Sequence, residues 1–87
     1  MTYSVVLTDA ARRSLSNLPG HIQKRITRWI DLLAEDPRRP GTRQFVGHPG
    51  IRRAHASKDY VIYCIQQEQV TVLVLRVENR RDVYRRL

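Results

Sequence analysis

The chain has 87 residues, sixteen Lys/Arg against eight Asp/Glu, and a net charge of +8. That length makes one domain, residues 1–87, which buries only about 60–65% of the surface of its unfolded chain and so has a thin core. A single cysteine, Cys64, excludes a disulfide framework and a cysteine-based zinc site.

No apolar run approaches the roughly 20 residues of a membrane span. The N-terminus lacks a charged region followed by an apolar one, so no signal peptide is read. An intracellular, cytoplasmic location without a membrane partner is expected.

Thr2 to Leu7 is β-branched and aromatic, which suits a first strand. Thr8 or Asp9 can cap a following helix, because either side-chain oxygen accepts from an unpaired N–H of the first turn. Ala11, Leu15 and Leu18 recur on one helical face, and Pro19-Gly20 stops that helix. His21 to Glu35 then repeats the helical period through Ile22, Ile26, Trp29, Ile30 and Leu33, a stripe wide enough to lie on a sheet. Pro37 to Gly41 is a stiff connector, and the short joint between the helices makes them a hairpin.

The remainder reads as an antiparallel meander. Thr42 to Val46 is one possible short strand, followed by Ile51 to Ser57, Asp59 to Ile65 and Val70 to Val77, with a polar loop at Gln66 to Gln69. In the last strand alternation puts Val70, Val72, Val74 and Arg76 on one face and Thr71, Leu73, Leu75 and Val77 on the other. Arg81 to Leu87 reads as a loose C-terminal turn. The expected fold class is α+β, with order β-α-α-β-β-β: an N-terminal strand, a helical hairpin, and an antiparallel meander covered by the hairpin on one face.

Charge is distributed unevenly over this scheme. Residues 1–37 hold five Lys/Arg against four acids, whereas residues 38–87 hold eleven against four, a balance of +7. Such a field selects a polyanion or an acidic protein partner. Arg80, Arg81 and Tyr84 follow the last strand, and Arg53 and His55 alternate onto one face of a neighbouring strand beside Arg52. Each set has a plain structural alternative, a solvated turn for the first and exposed sheet surface for the second. His21, His48 and His55 show no metal-ligand spacing, so neither metal nor cofactor is expected.

The chain has no glycine-rich phosphate loop, nucleophile elbow or paired carboxylates. An enzyme built from arginines, a tyrosine and a histidine suits RNA cleavage by the RNA's own 2′-hydroxyl. That reaction needs proton transfer, a cationic clamp for the phosphorane and in-line alignment, but no protein nucleophile.

Several segments, in order, resemble the RelE/ParE superfamily of bacterial toxin–antitoxin toxins along essentially the whole chain. They are Tyr3-Ser4-Val5; Ala11, Leu15 and Leu18-Pro19; Ile26, Ile30, Leu33 and Asp36-Pro37; and Gly47-x-Pro49-Gly50. Asp59-Tyr60-Val61-Ile62-Tyr63, Val74-Leu75-Arg76-Val77 and Arg80-Arg81-Asp82-Val83-Tyr84 complete the set. The resemblance implies a helical hairpin on a small antiparallel sheet and a cognate acidic, RelB-like antitoxin in a hetero-oligomer.

For the RelE-like branch it further implies cleavage of mRNA in the ribosomal A site. Arg80 would then stabilise or protonate the leaving 5′-oxygen, Tyr84 would stack on or orient a nucleotide, and Arg53 with His55 would form the inner-strand basic pair (Arg52 if the register slips by one). Arg43, Arg52, Lys58, Arg76, Arg81, Arg85 and Arg86 would contact the RNA or ribosome. The RelE-like pattern carries an arginine clamp directly after the tyrosine of the Asp/Gly-Tyr-Arg segment, where this chain has Val61. ParE-like members, which lack that set and block DNA gyrase, are the alternative.

Overall fold

The run of extended, β-branched residues ends at Thr8, and that residue fixes how the first three elements meet. In the computed structural model, which describes residues 2–45, 47–48, 50–56 and 58–79, β1 (Ser4–Leu7) leads directly into α1 (Asp9–Ser16). Thr8 is extended and is the N-cap. Its Oγ1 accepts from the Ala11 N–H at 3.1 Å and donates to the Leu75 carbonyl at 2.8 Å. Its own N–H donates to the Val74 carbonyl at 3.0 Å. Strand end, helix start and the far C-terminal strand are thus joined at one hydroxyl-bearing residue.

After α1 come α2 (Gly20–Glu35), β2 (Thr42–Gln44), β3 (Arg52–Ala56), β4 (Asp59–Gln66), a 3-10 turn (Gln67–Gln69) and β5 (Thr71–Asn79). The sheet order is β1-β5-β4-β3-β2. The expected meander is present from β2 to β5, all antiparallel. β1 joins it beside β5 in parallel, making the sheet mixed. The short stretch after Gly41 is a strand of three residues, so the order gains one β. The second helix starts at Gly20 rather than His21, with Pro19 as its N-cap.

Both helices lie on one side of the sheet. Ala11, Leu18, Ile22, Ile26, Ile30 and Leu33 meet Ala54, Val61, Tyr63, Val72, Val74 and Val77 in a single buried cluster. The Tyr63 phenol donates to the Pro37 carbonyl, tying the connector to the middle strand. The expected helical stripe is therefore the core stripe, although Trp29 is only partly buried and lies under the Arg39 guanidinium, 5.1 Å from the ring centroid.

The face assignment along β5 needs correction. Ile62 pairs with Arg76 while Tyr63 pairs with Val74, so Leu75 is an extra residue without a partner on β4. A β-bulge of this kind shifts alternation by one. Val72 and Val74 face the helices, and after the bulge so does Val77, which is 1% exposed. Arg76 is thereby moved off the face of Val72 and Val74 and onto the bare side, and Glu78 follows it. Val70 is not in the strand; it closes the 3-10 turn in the left-handed region at φ 49°.

One ion pair fastens the helical layer to the sheet. Arg25 Nε and Nη2 donate to the two Asp59 carboxylate oxygens at 2.6 and 3.0 Å, a bidentate pairing. The Asp59 side chain is 2% exposed and that of Arg25 48%. The hydrogen bond and charge of Asp59 push the Arg25 pKa up from its ordinary value, so the guanidinium stays protonated throughout the neutral range.

Two stability outcomes follow from these contacts. Thr8→Val, which keeps the shape but removes the oxygen, should cost about 1–3 kcal/mol. At about 4–8 °C per kcal/mol for a domain of this size, a thermal melt reads that loss directly. Arg25→Leu strips a buried carboxylate of its charged partner and should also cost about 1–3 kcal/mol. Arg25→Lys should recover only part of this, because an ammonium cannot make the paired contact.

Candidate nucleic-acid interface

Strand alternation sorts the cations. On β3, Arg53 and His55 point away from the helices, opposite Ile62 and Tyr60 of β4, while Ala54 between them is fully buried against Val61. On β2, Arg43 is the register partner of Arg53. On β5 the bulge brings Arg76 opposite Ile62. One row across the bare face is therefore Arg43, Arg53, Ile62 and Arg76. With strands 4.7–4.9 Å apart, Arg53 and Arg76 spring from backbone positions about 10 Å apart.

A second row lies alongside. The His55 N–H donates to the Gly41 carbonyl at 3.0 Å, His55 is paired with Tyr60, and Tyr60 with Glu78. The His55 and Tyr60 rings stack at 4.5 Å and 7°, and the Arg53 guanidinium lies 5.7 Å from the centre of the Tyr60 ring. Gly41 holds φ +91°, a conformation that side-chain-bearing residues rarely adopt. Gly41, Thr42, Arg43, Arg53 and His55 line a cleft of about 240 Å³ at this end of the sheet. Arg76 pairs with Glu78 at 2.8 Å, and among the described residues Glu78 is the carboxylate that the strands place on this face. Guanidinium groups around a stacked aromatic pair can bind phosphate oxygens and a nucleobase together.

Not every expected contact is here. Arg52 lies on the covered side, opposite Tyr63, and its Nη2 donates to Thr42 Oγ1 at 3.0 Å. Alternation within β3 makes this unavoidable once Arg53 and His55 face outward, so Arg52 is a structural residue of the helix-side edge and the register does not slip. Lys58 is exposed in the turn between β3 and β4. Arg80, Arg81, Tyr84, Arg85 and Arg86 lie outside the described residues.

Val61, where the resemblance expects an arginine clamp, is 0% exposed in the core. A guanidinium there would enter the hydrophobic cluster, so the outward neighbour Tyr60 takes the place beside the basic pair. Among the described residues no group of three His, Cys, Asp or Glu comes together as a metal site. Among the described residues no helix is long and apolar enough to cross a membrane.

Sequence reasoning missed Tyr60 and Glu78. Tyr60 was recoverable, since counting from the core positions Val61 and Tyr63 sends it outward. Glu78 was not, because the bulge that turns it outward leaves no mark in the alternation.

A helical pair on one side of a small mixed sheet and a basic, ring-bearing surface on the other define a toxin domain of the RelE/ParE superfamily, to which the chain belongs. Residues 5–84 match the family model for the ParE toxin of type II toxin–antitoxin systems. Over 90 residues the chain is 37% identical to Toxin RelG of Mycobacterium tuberculosis (strain ATCC 25618 / H37Rv), covering 99% of this chain and 100% of that protein.

The toxin–antitoxin complex RelBE2 from Mycobacterium tuberculosis is similar at TM-score 0.84 and 29% identity, covering 92% of this chain and 100% of that one. The isolated E. coli RelE toxin shares the fold at TM-score 0.77 and 19% identity, over 98% and 99% of the two chains.

The two sides of β3 give opposite expectations. Arg53→Ala should flatten the dependence of log affinity for single-stranded RNA on log salt by about 0.7, one phosphate contact. Arg52→Ala should leave that slope unchanged and lower the melting temperature instead. Titration at a series of salt concentrations separates them.

Proposed function

We propose that this toxin is a ribosome-dependent endoribonuclease that cleaves mRNA in the A site by attack of the RNA's 2′-hydroxyl and so inhibits translation. The observation that carries this reading is the bare face of the sheet, where Arg43, Arg53 and Arg76 form a row beside the stacked His55 and Tyr60. That face offers positive charge for a phosphorane, an imidazole for proton transfer and a ring against which a base can stack.

Arg80 and Tyr84 complete the set by the family resemblance. Arg80 stabilises or protonates the leaving 5′-oxygen, and Tyr84 stacks on or orients a nucleotide. Lys58, Arg81, Arg85 and Arg86 add charge for ribosome and RNA contact. The reaction uses no cofactor.

Its regulator is a cognate acidic antitoxin. RelB–RelE assemblies from Pyrococcus horikoshii OT3 and E. coli share this fold. The +7 balance of residues 38–87 suits a largely disordered acidic segment that orders on binding to form a toxin–antitoxin hetero-oligomer.

The second reading is a ParE-like inhibitor of DNA gyrase without chemistry of its own. Two observations favour it: the family model matched is that of ParE, and the clamp position is a core valine.

Induction in a bacterial host, followed by primer extension on a translated message, decides between them. The ribonuclease gives in-frame cuts that disappear with Arg80→Ala or Tyr84→Phe and weaken about 10²–10³-fold with Arg53→Ala. Growth arrest with intact message and an SOS response would overturn this reading in favour of gyrase.

A further inference from the structure

A carboxylate is an unexpected group on a surface that must attract phosphate, since it repels the ligand that the arginines draw in. Glu78 nevertheless faces the same side as Arg43, Arg53, His55 and Arg76, and it is put there by the bulge at Leu75. Its side chain is 30% exposed, half that of its partner Arg76 at 60%. It is the register partner of Tyr60, which stacks on His55. Imidazole, phenol and carboxylate thus occupy consecutive strands in one row. The two proton-transferring ends of that row start about 10 Å apart at the backbone, with His55 stacked on the central ring and Glu78 its register partner on the other side.

We propose that Glu78 is the general base of the cleavage reaction and that His55, on the other side of Tyr60, is the general acid. This assignment rests on the ribonuclease reading above. In the step it describes, the 2′-O–H bond breaks and its proton passes to a Glu78 carboxylate oxygen. The 2′-oxygen forms a bond to phosphorus, the bond from phosphorus to the 5′-oxygen breaks, and that oxygen takes a proton from the His55 imidazolium. The products are a 2′,3′-cyclic phosphate and a free 5′-hydroxyl. Arg53 and Arg76 hold the phosphate between the two groups, Arg80 adds charge stabilisation at the leaving oxygen, and the Arg76–Glu78 contact aims the carboxylate.

Two groups that must be oppositely protonated give a bell-shaped rate profile, with the acid limb belonging to the base. The other titratable or charged groups that the described strands bring to this face are Arg43 of β2, Arg53 of β3, Tyr60 and Cys64 of β4, and Arg76 of β5, with Lys58 in the adjoining turn. Of these, Glu78 is the carboxylate able to supply an acid limb.

The test is single-turnover cleavage of ribosome-bound mRNA by the purified toxin across pH, using wild type, Glu78→Gln, Glu78→Asp and Arg76→Ala. Melting curves confirm that each variant folds. Glu78→Gln keeps the contact with Arg76 but cannot take a proton. It should slow cleavage by about 10²–10⁴-fold and abolish the acid limb. Glu78→Asp should keep the limb at a reduced rate, and Arg76→Ala should lower the rate while leaving the limb in place.

A Glu78→Gln toxin that cleaves at the wild-type rate overturns the assignment and leaves the ribonuclease reading intact. So does one that is slowed but keeps the acid limb, which would make Glu78 a positioning residue for Arg76. A folded wild-type toxin that leaves the message whole overturns both.

Discussion

Arg76 and Glu78 reach the bare face of this sheet through the bulge in β5, at the point where Thr8 grips that strand. Its backbone N–H takes the Val74 carbonyl and its hydroxyl the next one, at Leu75, while the same oxygen caps α1. Two consecutive carbonyls directed at one residue are what an unbulged strand cannot offer, because alternate carbonyls point to opposite neighbours. The two carbonyl contacts of the threonine are thus made where the strand is bulged. The helical layer is docked by the same contacts that rotate the end of β5.

That rotation lets one thin sheet serve two incompatible environments. Among the described residues the covered side is apolar but for Asp59 and the groups at its β2–β3 edge, and Arg25 reaches over Asp59 to pair with it. The other side carries guanidinium groups close enough to repel one another, relieved by the Tyr60 ring and by Glu78. Packing is thus concentrated on one side of the sheet and positive charge on the other.

Much of this was legible in the chain. The stripe Ile22, Ile26, Ile30 and Leu33 announced the covering helix because packing demands that spacing. The outward alternation of Arg53 and His55 was readable because β3 is regular. Where reading failed, a long-range partner decided the outcome. Arg76 and Val77 exchanged sides because Thr8, distant in sequence, stabilises an extra residue. Arg52 went inward because Arg53, next to it on the strand, went outward. The parallel pairing of β1 with β5 depends on where the chain returns after the helices, which no local pattern encodes.

The bulge also makes the outward face of β5 depend on whether Leu75 joins the ladder. Straightening the strand with Leu75 kept in the ladder would send Arg76 and Glu78 beneath the helices and lift Val77 into solvent, whereas excising Leu75 would join Val74 to Arg76 and keep each face as it is. Relatives of equal length that lack the bulge could align letter for letter downstream and still turn opposite surfaces outward. Pairing in this segment, rather than residue identity, thus decides what the strand presents.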